Sequence, residues 1–204
     1  MRSSPRTPWL LAIAVLLVQG CTTVPTTQAP AAMLYEARYE ALSSLPGWSL
    51  SGRLAVRDEK DGGSGTLQWQ HAIESSRMDF YGAFGRGAWR LQADGSGAEL
   101  ELADGSLYGA PSVTELVRTQ LGWTVPVDAL SWWILGLAAP GEIEARVLSD
   151  DGTLEKLRQS GWTIEFGRYR DVDGVSLPLR LTAIREERSV KLAVRDWALD
   201  SLDD

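Results

Sequence analysis

The chain has 204 residues, of which 44% are hydrophobic and 23% charged, and its formal net charge is −7 at pH 7. That length suits one domain, or two at most, and the composition excludes a protein that crosses a membrane many times. An acidic body is also a poor partner for nucleic acid or for an anionic lipid surface.

The first twenty residues read as an export signal. Arg2 and Arg6 form a basic leader ahead of an apolar run from Trp9 to Val18. A bilayer span needs about 20 apolar residues, whereas the apolar part of a signal peptide has roughly 7–15. The run ends at Gly20-Cys21, and a small residue before the only cysteine resembles the lipobox at which bacterial lipoproteins are acylated and cut, with Gln19 departing from the usual small residue. Cleavage there removes residues 1–20, and the loss of Arg2 and Arg6 takes the charge from −7 to −9. A lone cysteine forms no internal disulfide, and lipidation gives Cys21 a purpose. One acyl chain holds a membrane only marginally, at about 0.8 kcal/mol per buried CH2, whereas two or more anchor firmly. By analogy with lipoproteins, Cys21 carries an N-acyl group and a diacylglycerol; no other cofactor is expected.

From Thr22 to Ala32 there is neither charge nor aromatic ring, so residues 21–32 read as a lipidated N-terminus and flexible tether, with the folded domain over 33–204. A helix is expected over 32–45, where Leu34, Tyr35, Ala41 and Leu42 fall at mixed 3–4 spacing ahead of Pro46-Gly47. Alternating texture then predicts strands at 48–56, 65–71, 77–81, 88–93, 97–102 and 106–109. Asp94-Gly95 and Asp104-Gly105 are the expected hairpin turns, with glycines accepting positive φ. Strands joined this closely must be antiparallel, since a parallel crossover takes a dozen or more residues. The middle predicts a helix over 112–121, capped by Ser112 with Glu115 three residues on and stopped at Gly122. A second helix is expected over 128–136. It is apolar on nearly every face and must be enclosed by the sheet or exposed deliberately. Strands return at 143–148, 154–159, 162–168, 177–185 and 189–197. The fold class is mainly β with helices: an incomplete antiparallel β-barrel, a strongly curved sheet enclosing or capped by the central helices.

Little here points to catalysis. His71 is the single histidine and, at a strand end beside Gln70, reads as a solvated surface side chain. With Cys21 committed to the anchor, neither a zinc cluster nor a Cys/His pair can be assembled. There is no Gly-x-Ser-x-Gly elbow, and Gly62-Gly63-Ser64-Gly65 lacks the lysine of a phosphate-binding loop. A glycosidase would need a carboxylate pair such as Asp79 with Glu99, but in a chain with 27 acids such pairs are most often surface charges. Tryptophan is the excess to be explained: nine residues, eight of them beyond the leader, at positions 48, 69, 89, 123, 132, 133, 162 and 197. Any one alone reads as core. Together in a thin sheet they suggest a concave apolar lining of the kind lipid and small-molecule pockets use.

Several patches in order resemble the LolB family of outer-membrane lipoprotein receptors. They are Gly52-Arg53-Leu54 after Trp48, Leu67-Gln68-Trp69-Gln70, Gly82-Ala83-Phe84-Gly85, Gly122 with Pro126, Leu130-Ser131-Trp132-Trp133-Ile134-Leu135-Gly136-Leu137, Gly161-Trp162, Leu177-Pro178 and a closing strand ending in Trp197. The resemblance implies a monomeric, non-enzymatic chaperone, lipid-anchored on the periplasmic face of the outer membrane. Such a protein takes acylated lipoproteins from a LolA-like carrier and delivers them into outer-membrane lipid. It further implies a membrane-insertion loop at Gly82, Ala83, Phe84 and Gly85, with Phe84 as the exposed wedge where the family more often has leucine after proline. Trp69, Trp133, Trp162 and Trp197 match family tryptophans and are expected to line a cavity for acyl chains; Leu67 and Ile134 join them by apolar position. Thr22 stands where an aspartate would retain a lipoprotein in the inner membrane, which points outward. The alternative is a membrane-anchored lipoprotein that binds another lipid or a glycan.

Overall fold

The computed structural model describes residues 30–59, 62–82 and 87–200. The expected signal peptide, Cys21 and nearly all of the tether lie outside the described residues, as do Ala83, Phe84 and Gly85.

Eleven strands form one antiparallel sheet. They are β1 (Gly47–Arg57), β2 (Gly62–Ala72), β3 (Ser76–Gly82), β4 (Trp89–Asp94), β5 (Gly97–Leu102), β6 (Leu107–Ala110), β7 (Ala145–Leu148), β8 (Leu154–Gln159), β9 (Trp162–Val172), β10 (Val175–Arg185) and β11 (Arg188–Leu199). Their spatial order is β6-β5-β4-β3-β2-β1-β11-β10-β9-β8-β7. Strands consecutive in sequence pair with one another, except β6 and β7, and the long-range pairing of β1 with β11 joins the two arms of the sheet. The edges, β6 and β7, have four residues each, which limits them as templates for another chain. Alternation decides the faces. Leu50, Leu54 and Val56 of β1 and Leu67 and Trp69 of β2 are buried, while Arg53, Arg57, Gln68 and Gln70 are exposed.

At both expected hairpins the aspartate accepts a bond from the amide two residues on, Asp94 from Ser96 at 2.7 Å and Asp104 from Ser106 at 2.9 Å. Gly105 takes φ +83° as expected, but in the first turn the positive φ falls on Gly97 and not on Gly95.

Three helices complete the described chain: α1 (Ala31–Ser43), α2 (Val113–Gln120) and α3 (Val127–Trp133). The Ser112 hydroxyl accepts from the Glu115 amide at 3.2 Å, as the capping pattern requires, and Gly122 at φ +70° ends the α2 region. α3 stops three residues short of the expected end. Past Trp133 the amides of Leu135, Gly136 and Leu137 fold back on the carbonyls of Trp132 and Trp133, and Gly136 adopts φ +74°. The apolar circumference of α3 is explained by cover on two sides. Val127, Leu130 and Trp133 are buried in the core, and Trp132 stacks on Tyr39 of α1 at 5.7 Å. α1 is fastened to the segment after α3, because the Tyr35 hydroxyl accepts from the Ala138 amide at 3.0 Å and Arg38 donates to the Leu135 carbonyl at 2.7 Å.

Candidate functional site

The inner face of β1–β4 is roofed by α2, α3 and the linker 121–126 between them. Leu54, Val56, Leu67, Trp69, Met78 and Trp89 form the floor, with Val190 of β11; the roof is Val117, Trp123, Val125, Val127 and Leu130. Between them is a hollow of about 30 Å³. All its lining side chains are hydrophobic, so a water there would lack the two to four partners it needs, and hydrocarbon is the matching content. Pockets that hold whole ligands measure about 300–1,000 Å³. At about 30 Å³ the hollow is closed to a ligand of that size.

Trp123 is the centre of the roof. Its ring meets Phe80 and Trp89 edge-on at 6.0 and 6.2 Å, and those two stack on one another at 5.1 Å. Gly63 makes room for it, since a Cβ there would lie 3.0 Å from Trp123 Cζ2. The neighbouring Thr124 amide donates to Asp58 Oδ2 at 2.6 Å, which ties the linker to the end of β1.

On the far side of Trp69, Met78 and Val127, which border both spaces, lies an open groove of about 480 Å³. Its rim is polar, with Ser75, Ser76, Asp128 and Ser131, and Trp69 Nε1 donates to Ser76 Oγ at 2.9 Å. Ile73 at its lip is 79% exposed.

Of the six residues expected to line a cavity, Leu67 and Trp69 border the hollow. Trp133, Ile134 and Trp162 do not; in this closed state they are packed elsewhere in the core. Trp133 Nε1 and the Ala139 amide both donate to Gln159 Oε1, at 3.0 and 2.9 Å, and Gln159 Nε2 donates to the Ala139 carbonyl at 2.7 Å. Gln159 is 1% exposed, so this network pins the segment after α3 against β8 and β9, with Trp162 tilted on Trp133 at 6.2 Å. Trp197 is half-buried at the β11 end, donating to the Pro178 carbonyl at 3.1 Å and meeting Trp48 edge-on at 5.8 Å. Of the loop quartet, Gly82 closes β3 opposite Gly65, and the other three lie outside the described residues.

Two side expectations need correction. His71 is not a freely solvated histidine: it stacks on Trp48 at 5.0 Å, its Nδ1 is buried without a partner among the described residues, and burial pushes its pKa below the usual histidine value. Asp79 does not face Glu99. Its row across the sheet continues through Arg90 to Glu101, and Arg77 and Arg90 bind its carboxylate at 2.8 and 2.7 Å. Burial alone would raise Asp79, but the two guanidiniums outweigh it and hold the carboxyl ionised, below the ordinary aspartate range. No cluster of three or more histidine, cysteine, aspartate or glutamate side chains suited to a metal occurs among the described residues.

Met78 and Asp58 are site residues that the sequence reading did not single out, and Trp89 and Trp123 entered it only among the eight tryptophans. Trp89 was findable, because alternation puts it on the face of Leu91. Asp58 was not, because its partner is a backbone amide 66 residues away.

The family model described as Outer membrane lipoprotein LolB matches residues 46–197. A protein named outer-membrane lipoprotein LolB from Pseudomonas aeruginosa (strain LESB58) is 35% identical over 193 residues, covering 93% of this chain and 94% of that protein. One of the same name from Pseudomonas putida (strain GB-1) is 39% identical over 163 residues, 80% of each. Among solved structures, a DUF1329 family protein from Desulfovibrio piger aligns with TM-score 0.51 at 8% identity, over 86% of this chain and 95% of that one. A domain from Vibrio parahaemolyticus, assigned by name to outer membrane lipoprotein sorting, aligns with TM-score 0.51 at 7% identity, over 85% and 93%. These distant likenesses speak for the fold alone.

Proposed function

Because the chain belongs to the LolB family, we propose that it is a monomeric, non-enzymatic receptor that accepts acylated lipoproteins from a LolA-like carrier and inserts them into the outer membrane. On this reading it is held on the periplasmic face of that membrane through the acyl groups on Cys21. The observation that carries the reading is the wholly apolar hollow between Leu67, Trp69 and Trp89 on the sheet and Trp123 on the linker. An acyl chain in water costs about 0.8 kcal/mol per CH2, so it must pass from one apolar cover to the next. A glycan fits the same hollow poorly, because its hydroxyls would be buried without partners. Transfer needs only affinities that rise from carrier to receptor to bilayer, and no nucleotide.

Phe84 is the proposed wedge. Gly82, two residues before Phe84, pairs with Gly65 toward the end of the sheet where β1 closes at Arg57 opposite Gly62. The test is Phe84→Glu, followed for uptake of a lipoprotein from the carrier and for its delivery to liposomes. Uptake retained with delivery lost is the expected result; delivery at the wild-type rate would remove Phe84 from this role.

A further inference from the structure

The charge of this acidic chain is unevenly spread. Strands β1, β9, β10 and β11 together hold nine arginines and lysines against three carboxylates, Glu165, Asp171 and Asp196. Alternation buries Leu54, Leu181, Val190 and Leu192 and leaves Arg53, Arg180 and Lys191 exposed on the face of the sheet opposite the hollow. Register gathers those three cations. Ala193 of β11 pairs with Arg53 of β1 on one side and with Arg180 of β10 on the other, and Lys191 stands two residues along β11. From the usual strand spacing and rise, the two arginines are about 10 Å apart across Ala193 and the lysine is about 7 Å from it. Among the described residues none of the three has a carboxylate within ion-pairing reach, whereas Arg195 beside them is matched by Asp196 at 2.7 Å and Lys156 by Glu165 at 2.9 Å. Unmatched cations this close repel one another, and a bound anion relieves that repulsion. Two exposed apolar side chains flank them on the same face. Tyr81, 48% exposed, continues the row of Arg53 through Thr66, and Ile184, 45% exposed, shares a row with Ser189 and Arg57. Cations beside exposed aromatic and aliphatic side chains suit a membrane surface, where the former meet phosphates and the latter the acyl boundary.

We propose that this face binds the phosphate headgroups of anionic phospholipid, with Arg53, Arg180 and Lys191 as the phosphate contacts. This rests on the membrane-anchored reading above, under which Pro30 is nine residues from Cys21 and the start of the folded body is held within about 32 Å of the bilayer. So short a tether keeps lipid in constant reach of a weak site. The net charge of −7 does not oppose the contact, because exposed charges farther off than about 8 Å are screened at physiological ionic strength. Docked this way, the helices that roof the hollow face away from the bilayer, toward the side from which a carrier arrives.

The test uses the mature chain with Cys21→Ser and vesicles of phosphatidylcholine with and without phosphatidylglycerol, read by co-sedimentation. Binding is expected only where phosphatidylglycerol is present, and it should weaken as salt rises. Lys191→Gln should lower the affinity about fivefold, and Arg53→Gln with Arg180→Gln about 25-fold. Arg118→Gln, which removes the same charge from the exposed side of α2, should leave it unchanged. Equal binding to both kinds of vesicle, binding to neither, or a loss as large in Arg118→Gln as in Lys191→Gln overturns the proposal. So does a variant lacking all three cations that keeps its vesicle affinity but no longer takes lipoprotein from the carrier, since the face would then dock an acidic protein. The mass of the mature chain recovered from bacterial membranes tells separately whether Cys21 is acylated: an unmodified cysteine overturns the anchored reading, while the vesicle titration of the soluble form judges the face.

Discussion

The carboxylate of Asp58 and the backbone amide of Thr124, 2.6 Å apart, join the end of β1 to the linker that lays Trp123 over the hollow. The other Asp58 oxygen accepts from the Glu59 amide at 2.8 Å and from Arg188 Nε at 3.3 Å, and Arg188 also pairs with Glu59 and Glu186. The ends of two hairpins, β1–β2 and β10–β11, are thereby tied to one roof. Removal of the carboxylate in Asp58→Ala should lower unfolding stability by roughly 1.5–3 kcal/mol, the range for a bond to a charged group. It should also speed the uptake of an apolar dye such as N-phenylnaphthylamine. Urea titration and stopped-flow fluorescence measure the two effects, and unchanged dye uptake would show that the bond does not hold the roof.

The same carboxylate sets an acid dependence. Burial alone would raise the Asp58 pKa, but the Thr124 and Glu59 amides and the Arg188 guanidinium outweigh it, and the folded value lies below the ordinary aspartate one. The unfolded value is about 3.9, so the contribution is complete above that pH and is lost as pH falls through the folded value. The stability gap between wild type and Asp58→Asn should therefore be flat from about pH 7 to pH 5 and shrink below about pH 4. Denaturation curves across that series check it; a gap that stays constant into acid would contradict it.

His71 acts in a higher window. Burial depresses its folded pKa, so protonation favours the unfolded chain. Its stabilising contribution is present above the unfolded value of about 6.5 and falls as pH drops from there toward the folded value. His71→Phe keeps a ring against Trp48 and removes the titrating nitrogens. It should flatten the pH dependence of stability between about pH 7 and pH 5, and thermal melts over that range would reveal any slope that remains.

Gln159 makes three buried bonds, so Gln159→Leu leaves Trp133 Nε1 and both backbone groups of Ala139 without partners. A loss of about 3 kcal/mol or more is expected, since each unmet buried group costs about 1–3 kcal/mol. Trp133→Phe placed in the Gln159→Leu background should restore part of it. Urea unfolding of the two variants gives the comparison.

The strands were legible because alternation and short polar turns are local signals, and each expected segment lies within or beside an observed strand. The pairing of β1 with β11 was not, because register between segments so far apart in sequence depends on the closure of the whole sheet. The site divides along the same line. Leu67 and Trp69 could be placed because their strand alternates cleanly. Trp133 looks identical to a lining residue in sequence, and only its bond to the buried amide of Gln159 shows that it packs against β8. Asp58 carries no sequence mark at all, since its role depends on a distant backbone amide.

The most direct test of the account is where a bound acyl chain touches the protein. Nuclear Overhauser contacts between the methylene protons of a seated palmitoyl chain and the tryptophan rings would give the answer. The account predicts contacts to Trp69, Trp89 and Trp123. Contacts confined to Trp133 and Trp162, or none to any indole, would contradict it.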